Sequence, residues 1–93
     1  SKQRKFLKAL AHKQKPVVLI GKNGLEDPVR KAIEIELNNH ELIKVKLLES
    51  FETPRQEAAV KVAEWAGADL VNLIGRTVIL YRANLEEPKI ELP

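Results

Sequence analysis

Val17-Val18-Leu19-Ile20-Gly21-Lys22-Asn23-Gly24-Leu25-Glu26-Asp27-Pro28 is the stretch on which the reading of the fold turns. Pro16 disfavours helix for the residue before it, and the unbroken β-branched and aliphatic run behind it has strand length and ends at a glycine. Such a run predicts a strand covered on both faces or placed centrally. Two glycines then bracket a short polar turn. Asp27 followed by Pro28 reads as an N-cap with proline at the first helical position. Strand, glycine turn and helix start thus follow one another within twelve residues.

Working outward, Phe6, Leu7, Leu10 and Ala11 recur at spacings of three and four, which predicts an amphipathic helix from Lys2 to about His12. Its other side carries Lys2, Arg4, Lys5, Lys8 and His12. Downstream, Val29, Ala32, Ile33 and Leu37 form the stripe of a second helix that Asn38-Asn39 can end. From Leu42 to Leu48, Ile43, Val45 and Leu47 alternate with Lys44 and Lys46, the pattern of a strand with two lysines on its polar face. Thr53-Pro54-Arg55-Gln56 reads as a capping box opening a third helix. Ala59, Val62, Ala63 and Ala66 line that helix for close packing, and Gly67 stops it. Leu70–Ile74 and Thr77–Arg82 read as a hairpin split by Gly75-Arg76. The order α-β-α-β-α-β-β predicts an α+β fold, an α/β two-layer sandwich with a mixed four-stranded sheet. Residues 1–83 are expected to form a single domain, and residues 84–93, with Glu86, Glu87 and Glu91, a loose acidic tail.

The chain of 93 residues has the length of one domain, and its core must be aliphatic because Phe6, Phe51, Trp65 and Tyr81 are the only aromatics. It has no cysteine, which excludes a disulfide framework, a thiolate metal site and a cysteine nucleophile. No apolar run reaches the ~20 residues that span a bilayer, and the basic start lacks the features of a signal peptide. A cytoplasmic protein without membrane contact is the expectation. The net charge of +3 conceals an asymmetry: residues 1–25 hold seven Lys or Arg and no acid, whereas the remainder holds nine basic and thirteen acidic residues. Like charge concentrated at one end points to a polyanionic partner.

Chemistry concentrates at Gly21-Lys22-Asn23-Gly24. The glycines permit close backbone approach, the following helix start offers unpaired N–H groups and positive dipole, and Lys22 adds charge, a combination suited to phosphate. Glu26 and Asp27 oppose it, since they satisfy the same dipole internally. KH domains clamp nucleic-acid backbone with a G-x-x-G loop of this kind. Neither G-x-x-x-x-G-K-[ST] nor G-x-G-x-x-G occurs, so no nucleotide cofactor or small-molecule substrate is expected. His12 and His40 lack metal-ligand spacing, and Ser1 and Ser50 build no Ser/His/Asp set. An enzyme is therefore not indicated. Arg76, in the hairpin turn, is placed either to reach nucleic acid or to pair with an acid such as Asp69.

Three ordered segments resemble one family. They are Gly21-Lys22-Asn23-Gly24-Leu25, His40-Glu41-Leu42-Ile43-Lys44-Val45-Lys46 and Ile74-Gly75-Arg76-Thr77-Val78-Ile79-Leu80-Tyr81-Arg82. Together they are similar to the CRM domain, the chloroplast RNA splicing and ribosome maturation domain, which occurs alone in prokaryotes as the YhbY-type protein. The resemblance runs from the first helix to Arg82. It implies a KH-related fold similar to the C-terminal domain of bacterial initiation factor three, and RNA binding, with ribosomal RNA in large-subunit precursors as the expected partner; a monomer is the expectation. It assigns backbone contact to Gly21, Lys22, Asn23 and Gly24. Many members continue the loop with Leu, Thr or Ser, then Pro, whereas Leu25 here is followed by Glu26-Asp27-Pro28. Arg4, Lys5, Lys8 and Arg76 complete the expected RNA-binding set on charge and placement. The alternatives are a protein-interaction adaptor using the basic first helix, and a splicing or RNA-folding factor.

Overall fold

The alternation of Ile43, Val45 and Leu47 with Lys44 and Lys46 sets the centre of the molecule, because a strand with one apolar face must bury it against another layer. The computed structural model describes residues 1–93 and has seven elements: α1 (Lys2–Ala11), β1 (Val18–Ile20), α2 (Asp27–His40), β2 (Leu42–Leu47), α3 (Arg55–Ala66), β3 (Asp69–Ile74) and β4 (Thr77–Tyr81). The strands form one mixed sheet in the order β1-β2-β4-β3. β1 runs parallel to β2, with Val18 opposite Val45 and Ile20 opposite Leu47. β4 is antiparallel to both neighbours, pairing Leu42 with Tyr81 and Lys46 with Thr77 on one side, and Ile74 with Thr77 on the other.

One face of the sheet presents Val18, Ile20, Ile43, Val45, Leu47, Val78 and Leu80 to α2 and α3. α2 contributes Ile33 and Leu37, and α3 contributes Ala58, Ala59, Val62, Ala63 and Ala66. The alanines bring the α3 backbone close to the strands, and Gly67, at φ 62, ends that helix in the left-handed conformation. These two layers hold the main core. α1 crosses the other face, where Leu7 and Ala11 pack on Leu42, Val71, Ile79 and Tyr81. Burial and the charges of Glu41 and Asp69 push the Tyr81 hydroxyl above its ordinary pKa. No helix is long and apolar enough to cross a membrane.

The structure corrects four expectations. β1 is an edge strand, not a central one, and Leu19 is 56% exposed. Its apolar run is unbroken, yet only Val18 and Ile20 face the core, because α1 covers the opposite end of the second face. Glu26, not Asp27, precedes α2, and Pro54, not Thr53, precedes α3; neither helix start receives a side-chain cap. α2 continues past Asn38-Asn39 to His40, and Glu41, at φ 63, makes the reversal into β2.

The fourth correction concerns the tail. Ala83–Pro93 has no helix or strand, but it is fastened rather than loose. Glu41 is buried, and its carboxylate accepts from the backbone N–H groups of Asn84, Lys89 and Ile90, each at 2.6 Å. Asn84 Nδ2 donates to Asn38 O at 2.9 Å, and Ile90 and Leu92 pack against the cluster under α1. Burial alone would push the Glu41 carboxyl up; the three backbone donors and the Lys89 charge outweigh it and hold the group below its ordinary value.

Candidate nucleic-acid interface

Strand direction decides what meets at the glycine loop. Because β1 and β2 are parallel and β4 opposes β2, one end of the sheet collects the loop after Ile20, the segment after Leu47 and the turn at Gly75-Arg76. The starts of α2 and α3 come to the same end. The loop is a tight turn closed by Gly24 N donating to Gly21 O at 2.9 Å. Gly24 has φ 68, a conformation that L side chains avoid. At Gly21 a Cβ would sit 3.2 Å from Ser50 Oγ and 3.3 Å from Leu48 Cδ1. Gly24 is therefore required by the backbone of the turn and Gly21 by tight packing against Ser50 and Leu48, and Lys22 and Asn23 are left exposed at the apex. A groove beside the loop is lined by Lys22, Gly24, Ser50, Phe51, Glu52 and Thr53.

Arg76 is brought to this end and does not pair with Asp69. Its Nη1 donates to Leu48 O at 3.4 Å, while Leu47 N donates to Arg76 O at 2.8 Å. Arg55 joins it, with Nη1 donating to Gly75 O at 3.3 Å. Lys22, Lys46, Arg55 and Arg76 take part in none of the ion pairs, which are His40–Glu36, Lys61–Glu57, Arg82–Glu34 and Lys89–Glu87. Four free cations at one end of a sheet form an anion-attracting edge. Glu26 and Asp27 at the start of α2, and Glu49 and Glu52 in the segment before α3, set limits to it.

The helix cations lie elsewhere. Arg4 and Lys5 are exposed and Lys8 is half-buried, but α1 packs at the Leu42 and Tyr81 end of the sheet. The loop follows Ile20, which pairs with Leu47, so the two surfaces are about 17 Å apart along β2. Sequence reading joined them as one basic surface; the strand register separates them.

Lys44 and Lys46 share the polar face of β2, as the alternation predicts, and differ in use. Lys44 Nζ donates to Gln14 O at 3.1 Å, whereas Lys46 is exposed. The placement of Arg55 beside the hairpin depends on the packing of the third helix start, which no local sequence pattern reports. Trp65 is half-buried beneath Arg30, whose guanidinium carbon lies 5.6 Å from the ring centroid, so it serves the packing of α2 on α3. Arg82, the last residue of the hairpin motif, is a brace. Its guanidinium donates to both Glu34 oxygens at 2.8 and 2.9 Å, to Ala66 O at 2.8 Å and to Asn38 Oδ1 at 3.1 Å. The hydrogen bonds from Arg82 hold the Glu34 carboxyl below its ordinary range, against the opposing effect of burial.

The comparisons with known proteins agree with this architecture. An RNA-binding protein of Haemophilus influenzae is 44% identical over 93 residues, covering 100% of this chain and 93% of that protein. The "Probable RNA-binding protein YqeI" of Bacillus subtilis is 37% identical over 92 residues, with coverage of 99% and 96%. The solution structure of SAV1595 from Staphylococcus aureus superposes with a TM-score of 0.78 at 35% identity, covering 99% of this chain and 96% of that one. The CRS1 / YhbY (CRM) domain profile matches residues 1–82, and the chain belongs to that family.

Proposed function

We propose that this protein binds RNA by its backbone, without catalysis, and that the Gly21–Gly24 turn with Lys22, Asn23 and Arg76 is the principal contact. The observation that carries this reading is the exposed, glycine-bracketed turn with an unpaired lysine at its apex, beside Lys46, Arg55 and Arg76, in a chain whose relatives are named RNA-binding proteins. The turn places backbone and an ammonium where a phosphate can approach closely. Few aromatics are available for base stacking, so phosphate contact and shape dominate, and affinity falls steeply with salt.

The target that fits the CRM resemblance is ribosomal RNA in precursors of the large subunit, with the protein acting as a cytoplasmic, monomeric assembly factor. Crosslinking the protein to RNA in cells and sequencing the adducts tests the target. Enrichment of large-subunit precursors over mature ribosomal RNA is the expected result; adducts distributed like total RNA would contradict it. A second reading rests on the separation of α1 from the loop, because the exposed Arg4 and Lys5 with the half-buried Lys8 form their own basic patch, suited either to a second RNA segment or to an acidic protein. Substituting all three by Gln and repeating the crosslinking separates these: RNA adducts fall in the first case and stay unchanged in the second.

A further inference from the structure

α1 covers only part of the second face of the sheet, and the strand register defines what remains bare. Leu19 stands opposite Lys46, Lys46 opposite Thr77, and Thr77 opposite Ile74. This row crosses all four strands, about 14 Å at the usual strand spacing. Its ends are the aliphatic side chains of Leu19, 56% exposed, and Ile74, 52% exposed. No element of the chain covers these two aliphatics, which stand one at each edge of the row with Lys46 and Thr77 between them.

We infer that this row is a second contact strip for RNA, specifically for an unpaired segment that continues from the glycine turn; the inference rests on the RNA-binding reading above. Charge selects the occupant. The strand residues of this bare row include the exposed Lys46 and no acid, and the nearest strand acid on the same face, Asp69, sits at the far end opposite Tyr81. The row also adjoins the proposed clamp directly. Lys22 follows Leu19 by three positions across the end of β1, and Arg76 lies between Ile74 and Thr77 in the hairpin. A strand of RNA whose phosphates rest on Lys22, Arg76 and Lys46 therefore lays its bases toward Leu19 and Ile74. Aliphatic ends reward contact with the flat apolar faces of unpaired bases, which a duplex keeps stacked inside. A duplex meets the turn and its cations only.

The test uses the whole chain, a twelve-nucleotide oligouridine and an RNA duplex of equal length. Methyl resonances of Leu19, Ile74 and Thr77 in the natural protein are expected to shift with the single strand and to stay in place with the duplex. A Leu19→Ser, Ile74→Ser variant alters only exposed side chains, so it keeps the natural melting temperature. It is expected to bind the single strand about tenfold more weakly at an unchanged salt slope, since apolar burial is lost, and the duplex as before. Lys46→Gln lowers the salt slope by about one. The inference is overturned if the loop amides shift on titration while those methyls do not, and the double variant binds like the natural protein; the strip is then free for a protein partner. That result leaves the loop reading standing, whereas a natural protein that binds neither RNA removes both.

Discussion

Glu41 shows how much one residue can hold together. It is a non-glycine residue at φ 63, buried, and it ends α2, starts β2 and anchors the tail with one carboxylate. The positive φ is strained for an L side chain, and the three charge-assisted hydrogen bonds offset that strain. Glu41→Ala leaves three backbone donors without their acceptor and is expected to cost about 2–3 kcal/mol in urea denaturation at neutral pH, with faster amide exchange from Asn84 to Ile90. The sign of the pH effect follows from the lowered carboxyl. A depressed folded pKa contributes stability that is present above the unfolded value, near 4.5, and is lost as pH falls through the folded value. Acid titration should therefore release the tail below the ordinary carboxylate range, and the Glu41→Gln protein should lose that transition. At Gly24, φ 68 makes Gly24→Ala cost about 1 kcal/mol by the same denaturation assay, a local strain that leaves the sheet intact. None of this was visible at Glu41 in the sequence, because the donors come from residues more than 40 positions away.

At the scale of elements, the sequence made the periodic parts legible and left the pairing open. The alternation around Ile43, Val45 and Leu47, the alanine stripe of α3, the Gly67 stop and the Gly75-Arg76 turn all reappear in the structure, since each is a local pattern with a local cause. The edge position of β1 is not legible, because Val17-Val18-Leu19-Ile20 says which residues are apolar, not which neighbour each side finds. Both helix starts differ by one residue from the expected caps for a related reason: Asp27 and Thr53 have capping side chains, but neither helix start takes a side-chain cap. The site was half legible. Lys22 and Arg76 are legible with their turns, while their meeting with Arg55 and Lys46, and the distance to α1, follow from strand order and register. Arg82 is the element-scale prediction. It joins the end of β4 to Glu34 of α2 and to the last carbonyl of α3. Arg82→Ala is expected to lower stability by about 2 kcal/mol, and Arg82→Lys to recover less than half of that, because an ammonium cannot reproduce the two-point grip on Glu34. Thermal or urea unfolding of the two variants checks it.

Taken whole, the molecule is an asymmetric body. One end of the sheet carries the glycine turn and free cations, the bare half of the second face adjoins it, and α1 displays a separate basic patch at the other end. The net charge of +3 matters less than this distribution, because screening at about 0.15 M salt confines each patch to roughly 8 Å. The most direct test of the central claim compares the natural protein with a Lys22→Asp, Asn23→Asp double variant binding large-subunit ribosomal RNA across a salt series. The turn is held by Gly21 and Gly24, so the variant folds with the natural melting temperature. The natural protein is expected to lose affinity with salt at a slope of several phosphate contacts, and the variant to bind at least about tenfold more weakly with a shallower slope. Equal affinity and equal slope for the two proteins would contradict it, and would leave the glycines serving only the turn.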